Sequence, residues 1–145
     1  DWHIDPGPHF SDTPDYVDSW PVHCVADSEG ADFHPNLTTA LHHVEAVFRK
    51  GEHAAAYSGF EGHSDEGEGS SLSAWLRERH VGQVEIVGIA TDHCVRATAL
   101  DAQREGFETT VLLDLTAGVA RPTTDAALLE MDEAGIRLLG APTVA

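Results

Sequence analysis

Val84-Glu85-Ile86-Val87-Gly88-Ile89-Ala90, followed at once by Thr91-Asp92-His93-Cys94-Val95, is the stretch on which the fold turns. The first seven residues form a near-continuous apolar run bounded by Gly82 and Thr91, the pattern of a parallel strand buried on both faces. Downstream the pattern repeats. Cys94–Glu105 has helical spacing with Gly106 placed as its stop, and Thr109–Leu115 is a second apolar strand. Thr124–Ala134 is a further helix ended by Gly135, and Ile136–Leu139 opens another strand. Upstream, Ser71–His80 sets Leu72, Trp75 and Leu76 on one helical face behind a Ser70 or Ser71 cap, and Glu45–Arg49 is a short strand candidate. Strands alternating with helices predict βαβ units, hence an α/β fold with a mainly parallel sheet and right-handed crossovers.

The N-terminal part reads differently. Its first 36 residues show no period and are rich in proline, histidine and aromatics, which predicts a long ordered loop or a functional excursion. His63–Ser71, rich in Gly, Ser and Glu, reads as a loop, and no internal repeat is visible. A length of 145 residues predicts a single domain, 1–145, and a hydrophobic share of 41% suffices for a packed core. Asp+Glu 25 against Lys+Arg 8 gives a net charge of −17, a surface that repels nucleic-acid phosphates and anionic lipid. No apolar run approaches the roughly 18 residues of a membrane span. Two cysteines, Cys24 and Cys94, are too few for a disulfide framework and point to a reduced, cytoplasmic setting. The chain starts at Asp1 without methionine, on residues that read as a strand end, and is therefore expected to be a fragment.

In open α/β sheets, ligand-binding groups gather at the carboxyl ends of strands, and two polar clusters stand at such positions. Asp1 and His3, two apart, point the same way on an extended strand end, and Pro6-Gly7 can turn His9 back towards them, with His23 further along. A carboxylate and imidazoles with open positions suit Zn²⁺, Mn²⁺ or Fe²⁺. The competing explanation is chance, since the chain holds 10 histidines and His42, His43, His53, His63 and His80 show no grouping. In the second cluster Cys94 follows the strand end at Ala90 and a tight polar turn, near the start of the next helix. The first turn of a helix favours a thiolate and offers N–H groups to an oxyanion. The alternative for Cys94 is a buried small hydrophobe. Asp92 reads as a cap or turn acceptor. Lys50, in Val47-Phe48-Arg49-Lys50-Gly51, is the only lysine beside seven arginines, either a solvated side chain or an ammonium with a task. Tyr57 in Ala56–Gly62 and Trp20 in Ser19-Trp20-Pro21 are pocket walls or loop anchors.

Taken in order, DWHIDPGPHF, SWPVHC, GADFHP, FRKG, AYSGFEG, GIATDHCVRATALDA and LDLTAGV resemble the nicotinamidase (pyrazinamidase) branch of the isochorismatase-like cysteine hydrolases. The resemblance spans essentially the whole chain and is most specific in GIATDHCV and in the D-x-H-x5-H motif of Asp1, His3 and His9. It implies a three-layer α/β/α sandwich and one divalent metal ion, Zn, Fe or Mn, on Asp1, His3 and His9, with His23 a variable fourth ligand. Lys50 and Cys94 match the second and third members of an Asp-Lys-Cys triad. The oxyanion hole maps to Ala90 and Cys94 after a cis Ile89–Ala90 peptide, and substrate contacts map to Trp20, Tyr57, Ile89, Ala90 and His93. The implied activity is hydrolysis of nicotinamide, and of pyrazinamide, to the acid and ammonia through a thioester on Cys94. It would serve pyridine-nucleotide salvage in the cytoplasm, with a small-molecule amide as partner and a monomer or homo-oligomer as the assembly. The family's first strand, I-I-V-D-x-Q-x-D-F with the triad aspartate, has no match here. The resemblance therefore implies a domain that starts late by a strand, a helix and a further strand, and a polypeptide inactive by itself. Three alternatives stand beside it: another hydrolase of the same fold, such as an isochorismatase, against which the metal set argues; a metallohydrolase with Cys94 structural; and a catalytically dead metal-binding fragment.

Overall fold

A computed structural model describes residues 1–65 and 69–144. Two compact units divide the chain: Asp1–Ala56 with Glu61–Ser70, and Tyr57–Phe60 with Ser71–Ala145.

The second unit is built on a parallel sheet. Strand β4 (Glu108–Gly118) pairs with β3 (Gln83–Ile89) on one side and, along its other side, with β5 (Arg137–Leu139) and then β6 (Thr143–Val144). Between the strands run α2 (Leu72–Glu78), α3 (Arg96–Arg104) and α4 (Arg121–Glu133), so the α/β reading with a mainly parallel sheet holds. Ser71 caps α2 by accepting from Ala74 N–H, as its sequence suggests. Helix α4 begins three residues before the periodic stretch at Thr124. Pro122 lies in its first turn, where a fixed φ helps and a missing N–H costs nothing. Thr124, Ala127 and Met131 are the residues it buries.

The core joins Val95, Ala99 and Leu100 to Val111 and Leu113 of β4, Met131 of α4 and Ile136, with Ile86, Leu128 and Leu138 packed against it. Of the helical layers expected for a three-layer sandwich, the described residues of this unit supply the one on the Ile86–Val111–Leu113–Leu138 face. The expectation that Val84–Ala90 is buried on both faces fails. Val87 is 50% and Ile89 76% exposed, because the core contacts of β3 lie on the Ile86 side alone. β4 outruns its predicted end at Leu115, since Thr116 and Ala117 pair with Gly88 and Ile89 after a register shift. At its end Gly118 has a packing duty: a Cβ there would stand 2.0 Å from the hydroxyl of buried Thr124.

The first unit has little regular structure, as its missing period predicts. β1 (Phe48–Arg49) pairs antiparallel with β2 (His63–Ser64), so the expected Glu45–Arg49 strand shrinks to two residues and the stretch read as a loop supplies its partner. The part of that stretch at 66–68 lies outside the described residues. A four-residue helix, α1 (Thr38–Leu41), and single 3₁₀ turns at Gly7–His9, Glu29–Ala31 and Pro35–Leu37 complete it. What orders the segment is long-range backbone bonding. Trp2 N–H donates to Lys50 O (2.9 Å), His3 N–H to Cys24 O (2.9 Å), Ala26 N–H to His3 O (2.8 Å) and Trp20 N–H to His9 O (2.8 Å). Among the described residues no helix is long and apolar enough to cross a membrane.

Candidate metal centre and nucleophile turn

His3, His9 and His23 converge in the first unit, each offering a ring nitrogen within 4.8 Å of the others. The one-residue pairing of His3 with Val25 and the bond from Trp20 N–H to His9 O draw the three histidine-bearing segments together. His3 is 1% and His9 4% exposed. Burial, reinforced by the neighbouring imidazoles, holds both below the ordinary histidine range, so both rings are neutral near neutral pH.

Their partners fix the tautomers. A carbonyl only accepts, so His3 Nδ1, 2.6 Å from Gly51 O, and His23 Nδ1, 2.8 Å from Pro21 O, must carry protons. Both Nε2 lone pairs are thereby left facing one another across 3.3 Å. Two such lone pairs repel unless a cation, or an added proton on one of the two rings, lies between them. A ligating histidine that donates its other N–H to a backbone carbonyl is the usual supporting arrangement of metal sites. Neutral imidazoles as donors fit a zinc, manganese or iron ion.

Asp1 stands beside this group. One carboxylate oxygen receives the Lys50 ammonium and the other lies 3.9 Å from His23 Nε2. Lys50 is not a solvated lysine: its side chain is 12% exposed and donates also to Ala56 O at 2.8 Å.

The second unit carries the cysteine turn. β3 ends in a cis Ile89–Ala90 peptide, as the resemblance implies. Cys94 does not lie in the α-helix expected over Cys94–Glu105. A single π turn, Thr91–Val95, comes first, with Val95 N–H donating to Ala90 O at 3.1 Å, and α3 starts at Arg96. The turn is widened because its leading residues are tied elsewhere. The Thr91 hydroxyl donates to that of Thr116 (2.9 Å), and the Asp92 carboxylate accepts from Val119 N–H (3.0 Å), Ala120 N–H (3.4 Å) and the Thr123 hydroxyl. Asp92 thus caps α4, whose own N-cap residue, Ala120, has no side chain to do so. Burial of Asp92 works to raise its pKa, but these donors outweigh it and hold the carboxyl below its ordinary range. Single π turns recur at functional sites. Cys94 is half-buried there.

Tyr57 and His93 come together in the second unit, ring centroids 5.9 Å apart and 31° from parallel. Burial lowers the His93 pKa against the pull of Asp92, keeping the ring neutral. Trp20, in the first unit, packs edge-on against Tyr16 at 5.7 Å. Sequence reasoning passed over Phe10, whose ring lies 5.1 Å from His3 and 5.4 Å from His23. Its position directly after His9 was the available signal. Trp2, under the Arg49 guanidinium at 3.5 Å, was missed likewise.

A parallel α/β unit with a cysteine in the turn after a strand, and a buried histidine group on an irregular segment, narrow the class to α/β proteins that keep their chemistry at strand ends. The chain belongs to the isochorismatase family: the isochorismatase domain matches residues 8–142. It is 59% identical over 139 residues to the nicotinamidase/pyrazinamidase of Mycobacterium tuberculosis, covering 96% of this chain and 73% of that protein. It is 40% identical over 125 residues to the nicotinamidase of Escherichia coli, covering 82% of this chain but 56% of that one. Among solved structures, the pyrazinamidase of Pyrococcus horikoshii in complex with zinc superposes with a TM-score of 0.67 at 33% identity, over 95% of this chain and 70% of that one.

Proposed function

We propose that the protein is a metal-dependent nicotinamidase, converting nicotinamide to nicotinate and ammonia and accepting pyrazinamide. The observation that carries this reading is the buried histidine group with its opposed lone pairs. Isochorismatases of the same fold lack the metal set, and the names of the similar proteins supply the substrate. The acid product would re-enter pyridine-nucleotide synthesis in the cytoplasm.

In this reading the Cys94 thiolate adds to the amide carbonyl carbon, and N–H groups at Ala90 and Cys94 receive the negative charge that develops on its oxygen. The thiol proton is taken up by the aspartate of the Asp-Lys-Cys triad that the resemblance implies, which has no match in this sequence. It passes to the nitrogen as the carbon–nitrogen bond breaks and ammonia leaves; water then cleaves the thioester to free the acid and the thiol. The resemblance makes Lys50 the charged member of the triad; within the first unit its ammonium is held by the Asp1 carboxylate and by Ala56 O. Within the second unit Tyr57, stacked beside His93, would face the substrate ring, with Ile89 and Ala90 lining the path to the thiol. His3, His9 and His23, completed by Asp1, would hold a divalent ion, which supplies a fixed point for orienting the substrate.

The test is ammonia release from nicotinamide by the protein translated from its complete reading frame. Activity above background is expected, and none with metal bound would overturn the assignment. A metallohydrolase with Cys94 structural would survive alkylation by iodoacetamide, whereas here alkylating Cys94 ends turnover.

A further inference from the structure

We propose that Gly51 is a positioning residue for His3, an inference that rests on the metal centre proposed above. Gly51 meets His3 in two ways. Its carbonyl accepts the Nδ1 proton at 2.6 Å, which leaves a lone pair on Nε2, facing His23. Its α-carbon is also where the ring rests. A Cβ at this position would lie 2.6 Å from His3 Cε1 and 2.9 Å from Nδ1, closer than real side chains approach. The backbone is left-handed there (φ +83°), a conformation glycine takes without penalty.

The ring can move aside by rotating but not with its main chain. Phe10 packs edge-on against it at 5.1 Å, and the His3 main chain is tied to Cys24 O and Ala26 N–H. Gly51 is fixed as firmly, because Lys50 O accepts from Trp2 N–H and Glu52 O from both Ile4 and Asp5 N–H, each at 2.9 Å. Segment 50–52 is therefore a strap laid along residues 2–5, and glycine is the one residue that lets strap and ring touch. Adding a methyl group must rotate His3 and carry Nε2 away from the His23 nitrogen it now faces.

Zn²⁺ affinity, read by competition with a chromogenic chelator, and the visible absorption of the Co²⁺-loaded protein test this on the complete protein. Gly51→Ala is expected to weaken Zn²⁺ by about 10–100-fold, the usual cost of losing a supporting partner of a ligand, and to alter the Co²⁺ bands. Gly106→Ala is the control for left-handed strain: it has φ +89° with no atom within 4 Å of the added Cβ, and it should leave both readouts unchanged. Wild-type protein that takes up no Zn²⁺ would sink the metal centre itself. Zn²⁺ bound by wild type, lost in His3→Ala and held with wild-type affinity and spectrum in Gly51→Ala would overturn the positioning role alone. Should Gly51→Ala fail to fold, nitrogen NMR of the metal-free wild type decides. His3 protonated on Nδ1 supports the proposal, and protonation on Nε2 refutes it.

Discussion

Met131 and His3 are both fully buried, yet they reach their places by different rules. Met131 is there because Thr124, Ala127 and Met131 recur on one face of α4 above a sheet that presents Val111 and Leu113. His3 is there because Cys24, Ala26 and Gly51 each hold it by one hydrogen bond, and the residues between them follow no period. A periodic element keeps its place in the fold when one position is exchanged, since its neighbours still define the face, although emptying a buried position costs stability. A segment held by individual bonds has no such averaging, so its chemistry rests on a few residues.

The largest expected effect lies in the periodic unit. Cys94→Ala should lower nicotinamide turnover by about 10⁴-fold or more, the scale seen when a nucleophile is removed, while bound zinc stays at the wild-type level. Turnover within tenfold of wild type would show that the thiol takes no part. The counterpart in the irregular unit is His3→Ala, which should lose most of its metal by elemental analysis while His63→Ala, on β2, keeps it. Equal metal in the two variants would remove the distinction between a histidine held by three bonds and one on a solvent-facing ladder.

How much could be read in advance follows the same division. α3, α4, β3 and β4 were legible because apolar period and a following glycine define them, and Gly106 and Gly135 do adopt φ of +89° and +81°. The errors came where a long-range bond replaces a local signal. The π turn at Thr91–Val95 exists because Thr91 and Asp92 are tied to Thr116 and to the start of α4, partners over twenty residues away. In the irregular unit the two-residue spacing of Asp1 and His3, the Pro6-Gly7 turn before His9 and the family resemblance singled out His3, His9 and His23 from the ten histidines of the chain. These signals missed Phe10 and the task of Gly51, whose roles are spatial and carry no chemical label. The pairing of Asp1 with Lys50 was equally out of reach, because their separation in sequence is 49 residues.

A smaller effect sharpens the contrast between the units. Met131→Ala should cost about 2–5 kcal/mol in urea unfolding, the range for emptying a filled core position. Leu37→Ala, at a residue 45% exposed on the irregular segment, should stay within about 0.5 kcal/mol. A cost above 2 kcal/mol at Leu37 would mean that this segment holds a core of its own.

The smallest effect compares two aspartates doing the same work in the two units. Asp15 accepts from the N–H groups of Val17, Asp18 and Ser19, and Asp92 from those of Val119 and Ala120 with the Thr123 hydroxyl; both carboxyls are held below their ordinary range. Asp15 lies in solvent, where water can take over its donors, so Asp15→Ala should barely move the unfolding midpoint. Asp92 is buried, and Asp92→Ala should cost about 0.5–2 kcal/mol, the worth of a helix cap. The pH dependence separates them further. A carboxyl whose folded pKa lies below its unfolded value contributes stability that is complete above the ordinary value of 3.8 and is lost as pH falls through the folded one. Urea midpoints of the wild type should therefore drop on acidification below about pH 4, and Asp92→Asn should remove part of that drop. His93, whose Nε2 is 3.9 Å from the Asp92 carboxylate, titrates in the same direction of pH, so the comparison is made in a His93→Gln background. An acid limb of equal depth with and without the Asp92 charge would mean that the three donors hold α4 by geometry alone.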